Sequence, residues 1–105
     1  MRPVPTADET GKILAGITAR RDWREYLRQQ LETVAGAPAE EQADYLRLAA
    51  FRLGRMVVSH GAPEPQVQRL LEAGGRRHGV SADRARQAVI AGLAGGQDYQ
   101  KRGLP

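Results

Sequence analysis

Residues 44–61 read DYLRLAAFRLGRMVVSHG, and the reading of this stretch decides the fold. At about 100° per residue, Leu46, Ala49, Ala50, Leu53, Met56 and Val57 share one arc of a helix. Phe51 and Val58 widen the arc past half the circumference, leaving a narrow polar strip of Arg52, Arg55 and Ser59. A helix apolar over so much of its surface is surrounded by partners, so its polar strip lies in a groove or at a seam between helices. Pro38, whose missing N–H is not needed in a first turn, begins the element. Gly61 ends it as a left-handed cap. The longest element of the chain is therefore the central helix of an all-α domain.

Working outward, strand signals are nearly absent, while helical signals recur between Gly and Pro punctuation. Upstream, Asp22 and Glu25 read as an N-cap with its reciprocal partner. Trp23, Leu27, Leu31 and Val34 then follow at i, i+4, i+8 and i+11 until AGAP stops the helix at Gly36. Farther upstream, Thr6 and Glu9 form a capping-box pattern ahead of Ile13, Leu14 and Ile17. Gly11 and Gly16 weaken that short helix by about 1 kcal/mol each relative to Ala.

Downstream, Val67, Leu70 and Leu71 stand at helical spacing, and Gly79 closes their helix. Arg76, Arg77 and His78 suit the negative end of its dipole. Ser81 is an N-cap type residue for a last helix, whose inner face is Ala85, Val89 and Leu93, with Gly95-Gly96 as its stop. The expected fold is all-α, a small bundle of four to five helices with short connections. Its parts are an N-terminal segment with a short helix over 1–21, the helical bundle over 22–96 and a flexible tail over 97–105.

At 105 residues the chain suits one domain with a modest core. No apolar run approaches the roughly 20 residues that span a bilayer, and MRPVPTADET has no apolar signal core. A cytoplasmic protein with no membrane partner is expected. The absence of cysteine excludes disulfides, thiolate ligands and a cysteine nucleophile, and fits a reducing compartment. His60 and His78 each stand beside a helix-ending glycine, without metal-ligand spacing. No glycine-rich loop runs into Lys-Ser/Thr, and the carboxylates are scattered over caps and exposed faces. The expectation is therefore no catalytic residue, no metal, no cofactor and no autonomous enzyme activity.

The net charge of +4 is carried almost entirely by arginine. A basic balance favours a polyanionic partner, although GC-rich coding also enriches Arg and Ala. Two readings of the arginines stay open. Arg52 and Arg55 offer forked donors to phosphate from within a groove, or they pair with Glu40, Glu64 or Glu72 on neighbouring helices. Arg21, Arg24 and Arg28 form a like-charged stripe beside Trp23 and Tyr26, which a nucleic-acid strand would offset. Equally, Glu25 and Glu32 neutralise the stripe and Trp23 is core. A helix–turn–helix rhythm around Gly79 is weak, because any two helices joined by a glycine turn share it.

At AAFRLGRMV, residues 49–57, the sequence resembles a known family. The run from about Tyr26 to Gly96 resembles the helical domain that follows the primase–polymerase catalytic domain in phage, plasmid and actinobacterial-element replication primases. Ala37-Pro38, Leu46, Ala49-Ala50-Phe51, Leu53-Gly54, Val57, Val67, Leu71, Gly79-Val80 and Gly92-Leu93 fall in register with that family's pattern. The departures are polar. Gln42-Ala43 replace an arginine–asparagine pair, Arg47 an asparagine and Ala91 a serine. Gly74-Gly75 stand where the family has Ala-Ala, which should loosen that helix.

The resemblance implies a template-handling module without catalytic carboxylates of its own. Its partners would be a single-stranded DNA template and a primase–polymerase catalytic domain, in cis or in trans, with a replicative helicase as a further candidate. Phosphates are then expected along Arg24 and Arg28 and along Arg47, Arg52 and Arg55, with further backbone contacts from Arg76 and Arg77. The alternative is a docking or dimerisation module of a replication complex that never touches DNA, its arginines forming interfacial ion pairs.

Overall fold

The computed structural model describes residues 23–103, of which 85% are helical, with no strand among them. Helix α1 covers 23–35. A 3₁₀ turn at Ala39–Glu41 leads into α2, Gln42–His60, followed by α3, Glu64–Arg77, and α4, Ala82–Lys101. The bundle expected from the sequence is thus the observed class. The short helix expected within 1–21, the Asp22 cap and Arg21 lie outside the described residues. Among the described residues no helix is long and apolar enough to cross a membrane.

Caps and turns account for the boundaries. Gly61, at φ 67°, closes α2 in the left-handed conformation that only glycine adopts without strain. Ser81 Oγ accepts a hydrogen bond from the Arg84 amide and so opens α4. The central helix begins later than expected. Pro38 introduces the 3₁₀ turn, and regular α-helix starts only at Gln42.

Helix α2 is the hub. Leu46, Ala49, Ala50, Leu53 and Gly54 are buried, with Met56 and Val57 half-buried beside them, whereas Val58 is exposed. Leu46 and Leu53 are fully buried with Val34, Val67, Leu71, Val89 and Leu93. Each such leucine contributes about 1.5–3 kcal/mol relative to an exposed one. Helix α1 runs antiparallel to α2, with Tyr26 near Ser59 and Gln30 at Arg52, and parallel to α3, with Arg24 at Gln66 and Leu31 against Gly74. Trp23 is buried in this core.

Two inward faces differ from expectation. On α1 the buried side chains are Trp23, Leu27, Gln30 and Val34, and Leu31 is only half-buried. The stripe turns inward one residue earlier because Gln30 has a hydrogen-bond donor waiting on α2. On α3, Leu70 is exposed while Val67 and Leu71 point inward.

The glycines of α3 and α4 bear on two further expectations. Helix α3 runs unbroken through Gly74-Gly75, the pair expected to loosen it. Side chains added there would strike Leu31 and Leu46, so these glycines give room for α1 and α2 to pack close to α3. Gly95-Gly96 do not stop the last helix. It continues through Lys101, taking in most of the expected flexible tail. Helices α2 and α4 run parallel and touch backbone to backbone. A Cβ at Gly92 would meet the Arg47 carbonyl, one at Gly54 the Leu93 carbonyl, and one at Gly96 the Phe51 carbonyl. Packing against α2 carries α4 past its glycines.

Candidate nucleic-acid interface

The polar strip of α2 opens into a groove of about 640 Å³ between α1, α2 and the end of α4. Glu25, Tyr26 and Gln29 form one wall, Arg52, Arg55, Met56, Ser59 and His60 the floor, and Gln100 the far side. The wide apolar arc of α2 fixes this position, because the residues left over must face the gap between its neighbours.

The two floor arginines are held by neutral groups. Arg52 Nη1 donates to Gln30 Oε1 at 2.8 Å, and Arg55 Nε donates to Gln100 Oε1 at 3.1 Å. The Arg55 guanidinium also lies 4.8 Å from the centre of the Tyr99 ring, which in turn meets Phe51 edge-on with 5.5 Å between ring centres. Neither arginine forms an ion pair among the described residues. Glu40, Glu64 and Glu72 are not their partners, and Glu72 instead accepts from Gln68. Both side chains are therefore partly ordered with their charge not offset by a bound carboxylate, and each keeps spare N–H donors.

On the groove's edge the charge balance differs. Arg28 pairs with both Glu25 and Glu32, the latter at 2.7 Å, which is the neutralised arrangement set out above. The hydrogen bond from Arg28 pulls the Glu25 carboxyl below its ordinary range, and the reciprocal bond raises Arg28 further. Arg28 is thus occupied within α1, and Glu25 is not a free negative charge facing the floor.

The remaining expected arginines are dispersed. Arg24 stacks over Trp23 at 5.2 Å and reaches Gln66 on α3 at 3.4 Å. Arg47 lies about 140° around the helix from Arg52 and lines separate cavities between α2 and α4. Arg76 and Arg77 are exposed on the last turn of α3, toward the opposite end of the bundle from Ser59 and His60. Of the seven arginines, only Arg52 and Arg55 share the groove.

No family model, curated protein or solved structure matches this chain significantly. Sequence reasoning had missed Gln30, Gln100 and Tyr99, the groups that hold the arginines in place. Gln30 did leave a signal, since it is a polar residue at the heptad-like inward position between Leu27 and Val34. Gln100 and Tyr99 left none, because they fell in the stretch read as tail.

Chemically, the groove offers two guanidiniums, a tyrosine ring at Tyr26 and a thioether at Met56. Ser59 Oγ lies 2.6 Å from His60 Nδ1 near the groove's end. Among the described residues, no group of three or more His, Asp or Glu side chains is placed to hold a metal ion. The arrangement suits the binding of an anion joined to a flat apolar group, as in a nucleotide unit.

Proposed function

We propose that this domain binds single-stranded nucleic acid in the groove between α1, α2 and α4, acting as the template-handling module of a primase–polymerase. One observation carries the reading: Arg52 and Arg55 are ordered by neutral amides, so their positions are set while their charges stay available. Guanidiniums held in this way bind phosphate with less entropy left to lose. Tyr26, half-buried against the core, lines the groove and would give a base a ring to stack on without regard to its identity. The link to a primase rests on the resemblance over Tyr26–Gly96, and on this reading the domain supplies positioning while a partner supplies chemistry. The template is DNA on the same ground.

The test is fluorescence anisotropy of labelled single-stranded DNA across a salt series. Each phosphate contact in a single strand steepens the log–log salt slope by about 0.7. The charge-removing pair R52Q/R55Q should weaken binding at least tenfold and flatten the slope by about 1.4, whereas R52K/R55K should keep most of the slope. Circular dichroism confirms that each variant is folded. Unchanged affinity in a folded R52Q/R55Q protein sinks the proposal. A docking module would instead bind its protein partner with little response to salt.

A further inference from the structure

A second groove lies on the other side of Arg55 and Tyr99. Helices α2 and α4 leave two adjoining cavities along their seam, of about 440 Å³ and 270 Å³, which share Asp44 and Arg47. The larger has an apolar floor of Leu48, Phe51, Ala91 and Gly95, and Leu48 is 42% exposed. The smaller is bounded by Arg47 and Arg84. Asp44 lines both, yet makes no ion pair with either guanidinium among the described residues.

Three features distinguish this surface from an ordinary solvated face. Arg47 and Arg84 stand on different helices and line one cavity, and neither side chain has a hydrogen-bond or ion-pair partner among the described residues. Arg84 also sits beside Asp83 in the first turn of α4, at the positive end of the helix dipole, where a cation is disfavoured and an anion favoured. The apolar floor is continuous with the first groove through the Phe51–Tyr99 ring pair and Arg55, which lies over Tyr99 and lines the first groove.

The geometry points to an extended strand path. A single strand leaving the first groove crosses the Arg55–Tyr99 bar, lays its bases over Leu48 and Phe51, and places phosphates on Arg47 and Arg84. This inference rests on the proposed single-strand reading and adds Arg84 as a binding residue. The pattern favours a polyanion with flat apolar groups over an acidic protein helix, because Arg47 and Arg84 flank a floor of exposed Leu48, the half-buried Phe51 ring and small residues, although Asp44 lines it too.

The experiment compares oligothymidylates of about 6 and about 16 nucleotides on the wild-type domain, R47Q/R84Q and R52Q/R55Q. All four arginines are exposed, and a thermal melt verifies folding. For R47Q/R84Q the expected result is a roughly tenfold loss with the long oligonucleotide, a slope reduced by about 1.4, and no change with the short one. R47K/R84K should retain the slope. Long-oligonucleotide affinity that R47Q/R84Q leaves intact, while R52Q/R55Q still weakens both lengths, overturns the extended path alone; a groove made for a protein helix would give that result. Loss of neither length in R52Q/R55Q overturns the first groove as well.

Discussion

The two sides of α2 follow opposite rules. Toward α4, Gly54 lies against the Leu93 backbone, Gly96 against the backbone of Phe51 and Arg55, and Gly92 against the Arg47 carbonyl and the Ala50 methyl, leaving no room for a larger side chain. Toward α1, long side chains span the gap, Arg52 reaching Gln30 while an open groove remains beside them. One helix is thus tightly packed along the middle of its α4 edge, with cavities left beyond it around Arg47, and open along the groove it shares with α1. The rigid edge lets the other hold charged groups in fixed places without closing over them.

The comparison breaks most visibly at Gly96. G96V drives a branched side chain into the Phe51 carbonyl, and about 3 kcal/mol or more of stability should be lost. Urea unfolding reads this directly, and a wild-type midpoint would show that the seam has room to spare. One residue away, a Cβ at Gly95 meets only the Phe51 ring, at 3.4 and 3.7 Å. G95A should therefore gain up to about 1 kcal/mol from helix propensity, so neighbouring glycines should shift the same melt in opposite directions.

On the groove side the effects are smaller and appear in binding. Q30L replaces a buried amide, 8% exposed, with a leucine and releases Arg52 into solvent. Its melting temperature should stay level or rise. Single-strand affinity should fall roughly two- to fivefold, the ordering cost of about 0.5–1 kcal/mol returning to one freed side chain. Equal affinity would mean that the amide does not position Arg52 for its ligand.

The smallest effect concerns Glu25. Its lowered pKa means that the Arg28 pair adds stability above the ordinary glutamate value of about 4.3, and that this is lost as pH falls through the lowered value. The melting gap between wild type and E25Q, slight at neutral pH because the pair is exposed, should close in acid. A gap that widens in acid would contradict the assigned sign.

How much of this was legible depended on where the deciding atoms lie. The buried arc of α2 and its polar strip follow from helical period alone, and both caps, Gly61 and Ser81, are local. The meaning of Gly95-Gly96 is not local. Whether a glycine ends a helix or admits another depends on what stands opposite, and here that is Phe51, far back in the chain. The partners of Arg52 and Arg55 lie 22 and 45 residues away in sequence. Arg47 looked like their companion because it is near in sequence, yet a few residues turn a helix face well away. Arg28 had its carboxylates within one turn, and there the neutralised alternative was already on view.

The course of α4 beyond its glycines also bears on where the domain can be cut. Composition suggests trimming after Gly96, and such a chain would keep every backbone contact of the seam. It would lose Tyr99 and Gln100, the ring and the amide that steady Arg55. On the proposed reading, the shortened protein should melt like a folded domain yet bind single-stranded DNA more weakly, which would part the last residue needed for stability from the last needed for recognition.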